Sequence, residues 1–314
     1  MGLLPMDADI LPPSDDRIFK LLMISPEAKP GLIKLIAGII GRPVTDVTVH
    51  SGELPIGATE EKAERLDVNC KIDDGSQINL EMQASRIKED ASGEHKNLKG
   101  KSIYYLCDLH SSQPSKGQRR YDRLARSYQI TFCSYTVFAH RKEYINSYSM
   151  RHDSDNELLH DAIRMVFIEL SKLDDIIRKP VAKMTDLEKF ALFFEYASSQ
   201  DYREKVNKII ESEEVLQVAG NLLMNISQNE RERALFRSRR KYQTDYESDM
   251  ATSKDIGFAE GIAEGEIKGE IKGEKKAHTD KVEGAKYFIS IGLTNSQISK
   301  GTGLTENEIE DLRT

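Results

Sequence analysis

The chain has 314 residues, 39% of them hydrophobic and 31% charged, which suffices for one ordinary core with a well-solvated surface, or for about two domains at roughly 100–200 residues each. A formal net charge of −7 excludes a uniformly basic nucleic-acid binder, because affinity for phosphates rests on Lys and Arg, so any such contact must come from local zones. Three isolated cysteines make neither a disulfide framework nor a zinc pattern, and no apolar run approaches the about 18 residues of a membrane span.

In chain order, residues 14–25 open with a capping signal and carry Ile18, Phe19, Leu21 and Leu22, which predicts a helix. A second helix follows Pro30, its stripe of Leu32, Ile33, Leu35, Ile36, Ile39 and Ile40 stopped by Gly41 and Pro43. Residues 44–50 are β-branched and predict a first strand. In residues 65–72, Leu66, Val68, Cys70 and Ile72 alternate with Arg65, Asp67, Asn69 and Lys71. In residues 77–84, Ile78, Leu80, Met82 and Ala84 alternate with Gln77, Asn79, Glu81 and Gln83. Period two marks half-buried strands, and the intervening Asp73-Asp74-Gly75-Ser76 is hairpin chemistry. The two apolar faces must share one side of the sheet, so paired positions sum to an even number. A loop at 73–75 then sets Asp67 opposite Glu81, and a loop at 74–76 sets it opposite Gln83. Either register gathers Asp67, Glu81 and Gln83 on the polar face, with Cβ atoms of opposed residues about 5 Å apart.

Residues 86–100 are polar and read as a loop. Residues 101–111 place Ile103, Leu106, Cys107 and His110 at helical spacing, Pro114 to Gly117 break the chain, and residues 128–138 predict a further strand. The resulting order predicts an α/β protein, a mixed sheet with helices on both faces, over residues 1–150. From residue 156 the chain reads as helical, with Leu159, Ile163, Val166, Phe167 and Leu170 on one stripe, and a capping box at Thr185 to Glu188 opens a Phe-rich helix; residues 151–250 are therefore expected to be a helical accessory region. Gly257, Gly261, Gly265, Gly269 and Gly273 recur every four residues across 251–278. They allow either a weakly helical spacer, since each Gly costs about 1 kcal/mol of helix propensity, or a close-packing self-association helix. Residues 279–314 predict three short helices spaced like a helix-turn-helix, two of them opened by capping boxes at Thr294 and Thr305. Glu306, Glu308, Glu310 and Asp311 make the last one acidic, which favours a protein contact or homo-oligomer over a DNA reader.

Phosphodiester hydrolysis needs help for the developing charge and for the attacking water, and a divalent cation gives both. Mg²⁺ prefers oxygen ligands and needs only one or two carboxylates. Asp67 and Glu81 on facing strands, with the main-chain carbonyl of Met82, have the right chemistry. Asp16 is a further acidic candidate, although a helix N-terminus favours such a charge for its own sake, and Glu53 is another. The segment from Ala84 to Arg126 carries twice as many basic as acidic side chains, and Arg119, Arg120, Arg123 and Arg126 are candidate phosphate contacts. A solvated basic face is the alternative reading, and residues 228–243 form a second basic zone. The seven histidines show no metal spacing. Trp is absent and aromatics make up 7%, which argues against large stacking platforms.

Asp67, a hairpin, and then Glu81-Met82-Gln83 resemble the PD-(D/E)XK nuclease signature in an E-x-Q form. Asp16-Arg-Ile-Phe19-Lys20, Arg65-Leu-Asp67-Val, Ile78-Asn-Leu-Glu81-Met-Gln83, Tyr104-Tyr105 and Tyr121 are similar to the Rpn family of recombination-promoting nucleases, also described as PD-(D/E)XK nuclease family transposases. The resemblance covers about residues 10–240, and the glycine-spaced segment also looks like tails common in that family. It implies a restriction-endonuclease-like core, Mg²⁺-dependent DNA cleavage (Mn²⁺ as a substitute), and a role in recombination. The departure is Gln83, where the parent signature has a lysine: glutamine can hydrogen-bond water but carries no charge. Either the metal ion does more of the activation, or a lysine arrives from elsewhere, with Lys99 and Lys101 as candidates, or the chain is a catalytically weak scaffold that still binds DNA. Membrane association is not expected, and a cytoplasmic location is.

Overall fold

The structure, a computed structural model, describes residues 3–50, 67–84, 95–113 and 120–313. Glu53, Arg119 and the polar stretch around 86–94 lie outside the described residues. Helix α1 (Asp16–Ile24) is capped by Asp15, whose carboxylate accepts the N–H groups of Arg17 and Ile18 at 3.0 and 3.2 Å. Helix α2 (Lys29–Ile40) starts on Pro30 and stops where Gly41 turns left-handed at φ 72°. The chain then enters β1 (Val47–Val49), shorter than the segment expected, and the hairpin of β2 (Val68–Ile72) and β3 (Gln77–Gln83). Gly75, at φ 87°, closes the turn by donating to the carbonyl of Ile72 at 2.9 Å. Val68 pairs with Leu80 and Cys70 with Ile78, and one further step sets Asp67 across from Glu81, the first of the two registers the turn chemistry allows.

Helix α3 (Lys96–Ser111) begins earlier than its spacing predicts, and β4 (Ser127–Cys133) ends earlier than residue 138. The early end has a cause. The carboxylate of Glu169 accepts the N–H groups of Val137 and Phe138 at 2.6 and 3.0 Å, so those donors are satisfied outside a strand. The helical reading from residue 156 is corrected more substantially. Residues 145–148 and 163–169 are strands, β5 (Ile145–Tyr148) and β6 (Ile163–Glu169), and β6 lies inside the sheet. The spacing of Ile163, Val166 and Phe167 fits a helix stripe, but Val166 and Ile168 enter one core and Phe167 the other. A strand buried on both faces reads as a short apolar run, which periodicity alone cannot tell from a helix. The boundary expected at 150 therefore cuts through the sheet.

Among the described residues the strand order is β1-β2-β3-β4-β6-β5, with β3, β4 and β6 parallel and the remaining pairs antiparallel. One face carries Val68, Cys70, Ile78, Leu80, Met82, Ile130, Phe132 and Ile168 into the main core, shared with α1, α2 and the later helices α4 (Asp186–Tyr196), α5 (Arg203–Glu211) and α6 (Glu214–Gln228). The other face is covered by α3, through Leu98, Ser102 and Leu106, one turn apart. Under the β6 end of α3 that face is apolar, with Cys133, Phe138 and Phe167; under β3 it is polar.

Two compact units divide between Phe236 and Arg237. The first includes a buried bidentate pair, Arg17 with Glu232, at 2.6 and 2.8 Å, which ties α1 to the start of α7 (Glu230–Ser290). In the second unit α7 runs as one helix through all five spaced glycines, with Lys268 paired to Glu264 at 3.1 Å on its surface. Helices α8 (Asn295–Thr302) and α9 (Glu306–Asp311) open on the expected capping boxes and close a small core of Ala285, Ile298, Leu304 and Ile309. No described helix is long and apolar enough to cross a membrane.

Candidate active site

A cleft of about 640 Å³ opens on the polar side of the hairpin, between β3, α3 and the first turn of α1. Each wall has a local cause. Alternation along β3 turns Asn79, Glu81 and Gln83 to the α3 side while Met82 sends its side chain into the main core, so it is the main chain of Met82 that meets the cleft. Asp67 stands just before β2, across from Glu81. Asp16, in the first turn of α1, is held at the end of β3 by the N–H of Ala84, which donates to its Oδ1 at 3.1 Å. Helix α3 contributes Lys101, Tyr104, Tyr105 and Asp108.

Glu81 is 4% exposed, and its two oxygens have different partners. The ammonium of Lys101 donates to Oε1. The Gln129 side-chain amide donates to Oε2 at 3.4 Å and is itself oriented by Asn79, whose Nδ2 donates to Gln129 Oε1 at 2.8 Å. The parallel register places Asn79 beside Gln129 and Glu81 beside Thr131, so these buried groups form a polar layer across β3 and β4. Burial pushes the Glu81 carboxyl up from its ordinary value; Lys101 opposes the shift and the nearby charge of Asp67 adds to it. For Lys101, burial works against the charge, but the bond and charge of Glu81 prevail and hold the ammonium above its usual range. Lys20, buried one turn along α1 from Asp16, is held low by burial while Asp67 pulls it upward.

The structure thus brings Asp16, Asp67, Glu81, Met82, Gln83 and Lys101 to one cleft. It places the remaining basic candidates elsewhere. Lys99 lies over the Phe138 ring, 5.1 Å from its centre. Arg120 pairs with the exposed Asp122 at 2.6 Å, and Arg123 sits beside them in an exposed turn. Arg126 pairs with Asp161 at 2.9 Å at the start of β4, next to Gln77, whereas Glu81 lies about 13 Å further along at ~3.3 Å per residue. Gln129 and Asp108 were not picked out by sequence reasoning, and Asn79 and Lys20 were read there only as parts of longer segments, without a role in the site. Lys20 had a signal, since it is four residues from Asp16 and so on the same helix face. Gln129 had none, because its role depends on which strand lies beside β3.

The donor set suits a hard cation. It consists of the Asp67 and Glu81 carboxylates and the main chain at Met82, all oxygen, beside the Oδ1 of Asn79, a buried acceptor without a hydrogen-bond partner. Among the described residues no three His, Cys, Asp or Glu side chains close into a group that could hold a metal ion.

A mixed sheet with parallel β3 and β4, helices on both faces, and an acidic hairpin at its polar side defines a restriction-endonuclease-like PD-(D/E)XK fold. The chain belongs to the PD-(D/E)XK nuclease family transposases, whose family model matches residues 13–253. That membership supports a nuclease- or transposase-related role, in a group of enzymes that generally use divalent metal ions. No curated protein and no solved structure matches the chain.

Proposed function

We propose that the cleft hydrolyses phosphodiester bonds of DNA with Mg²⁺, Mn²⁺ substituting, in the service of recombination or transposition. The observation that carries this is the opposition of Asp67 and Glu81 across the β2–β3 hairpin in one cleft. In this reading the two carboxylates and the Met82 carbonyl hold the cation. Bound there, Mg²⁺ would offset charge on the phosphoryl oxygens and make water more acidic. The protein's own part is to orient. Gln129 fixes the direction of Glu81, Gln83 hydrogen-bonds the attacking water, and Lys101 brings to Glu81 the positive charge that Gln83 lacks. Asp16, anchored to the end of β3, is positioned to widen the acidic set.

Nicking of supercoiled plasmid under titrated Mg²⁺ tests the reading. Asp67→Ala and Glu81→Ala should each lower the rate at least about 100-fold, beyond the 10–100-fold loss typical of outer-shell changes, with an unchanged circular dichroism spectrum. Cutting by a folded Asp67→Ala protein at the wild-type rate would remove the hypothesis. Binding of DNA with steep salt dependence but no nicking in either metal would favour the scaffold reading instead.

For the second unit we infer self-association, with a second copy of this chain as the partner. Phe258, Ile262, Ile267 and Ile271 are exposed along α7, and the five glycines have open space where a Cβ would be. Glu260 and Glu264 precede Lys268, Lys272 and Lys276 at one place in the four-residue repeat, so an antiparallel copy would set unlike charges opposite one another.

A further inference from the structure

The α3 wall of the cleft is aromatic where it meets solvent. Tyr104 lines the cleft yet is 68% exposed, and Tyr105 stands beside it with ring centres 5.9 Å apart. The Lys101 ammonium lies 5.4 Å from the centre of the Tyr105 ring while it donates to Glu81. The Tyr105 ring and Glu81 are therefore joined through one lysine. The formal charges of the walls are unfavourable for a bare phosphate backbone, with Asp16, Asp67, Glu81 and Asp108 facing Lys101. Apart from a cation, then, the attraction within the cleft has to come from something other than phosphate neutralisation. Exposed ring faces have that capacity, because every base has a face and stacking on an aromatic is worth about 1–3 kcal/mol per base.

We propose that Tyr104, backed by Tyr105, stacks on an unpaired nucleobase, so that the cleft takes single-stranded DNA or a frayed end in preference to intact duplex. The proposal rests on the nuclease reading and names the substrate form for that same site. In a duplex both faces of each base are already stacked on neighbours, and freeing one costs a few kcal/mol, so a stacking contact at the rim discriminates by structure and not by sequence. The cleft volume falls in the range of about 300–1,000 Å³ in which pockets enclose compact ligands, room for a nucleotide. This pair is a local contact and not the extended platform that the low aromatic content argues against.

The test uses the full chain and an oligodeoxynucleotide carrying 2-aminopurine, single-stranded and again in duplex, with Ca²⁺ for binding and Mg²⁺ for cutting. Wild type should quench the single-stranded probe and bind it more tightly than the duplex. Tyr104→Ala should weaken single-strand binding about 5- to 150-fold, the range that 1–3 kcal/mol converts to, and leave duplex binding unchanged. Tyr104→Phe and Tyr104→Trp should retain it. Equal wild-type affinity for both forms, or single-strand binding by a folded Tyr104→Ala protein at the wild-type level, overturns the proposal. The two failures are separable: cutting without quenching sinks the stacking contact, and quenching without cutting sinks the hydrolytic reading.

Discussion

At the scale of residues, the site is governed by which partner each oxygen of Glu81 has. Burial pushes the Glu81 carboxyl up, while Lys101, bonded to one oxygen, opposes that shift, and Gln129 orients the other. Lys101 is also the described lysine in contact with the acidic pair's second member, which makes it the candidate for the charge that Gln83 lacks. Lys101→Met should reduce nicking about 10- to 100-fold, as loss of an outer partner of a metal ligand does, and Lys101→Arg should recover part of it. Unchanged nicking by Lys101→Met would place the missing charge elsewhere. A second carboxyl, Glu195 on α4, is far from this chemistry and is pushed up to about 7 by burial, with Asp174 adding to the shift. Its folded value lies above its unfolded one, so the folded state holds the extra proton between about pH 4.5 and 7 and loses stability as pH rises through that window. At 1.36 kcal/mol per unit, this is on the order of 3 kcal/mol lost by pH 8. Glu195→Gln should melt with wild type at pH 4 and above it at pH 8; parallel melting curves across that range would contradict the account.

At the scale of elements, the hairpin was legible and the far side of the sheet was not. Alternation in 67–72 and 77–83, with a turn that demands glycine, marked both strands and gathered Asp67, Glu81 and Gln83 on one face, but left open whether Asp67 stands opposite Glu81 or Gln83; the pairing of Val68 with Leu80 decides it. Strand β6 hid because both its faces are covered, so its apolar residues do not alternate and happen to fit a helical stripe. What holds the chain there is Glu169 at the end of β6, fully buried and bonded to Val137 N–H, Phe138 N–H, Asn146 Nδ2 and Lys172 Nζ, the last two at 2.8 and 2.7 Å. Lys172 is a local partner three residues on, but the segments at 137–138 and 146 are ones that sequence spacing does not connect to Glu169. Removing the carboxylate leaves the largely buried Lys172 ammonium without its counterion, though still donating to the Phe138 carbonyl at 2.9 Å, and two backbone donors unpaired, so Glu169→Ala should cost about 3–5 kcal/mol in urea unfolding. A loss below 1 kcal/mol would show that water replaces these bonds.

At the scale of the whole molecule, the two units answer to different parts of the sequence. The family match, residues 13–253, covers most of the first, sheet-bearing unit and reaches only the beginning of the second, which is mostly the long helix with a small core of its own. Ending the chain after residue 250 should leave nicking intact and lower the mass measured by light scattering from that of an oligomer to that of a single chain. An unchanged oligomer would move the association to the sheet-bearing unit. The glycine repeat was visible in the sequence, but its state was not: whether surface pairs such as Glu264 with Lys268 offset the glycine penalty depends on a balance of tenths of a kcal/mol per pair, which composition does not resolve. The pair of Arg17 with Glu232 carries a different consequence. It makes the beginning of the first helix depend on residues more than two hundred positions later. During synthesis, the guanidinium waits for its counterion until nearly the entire sheet-bearing unit has left the ribosome. A nascent chain interrupted short of residue 232 therefore lacks the carboxylate against which this guanidinium is buried, and the first helix keeps its cation in water until that partner arrives.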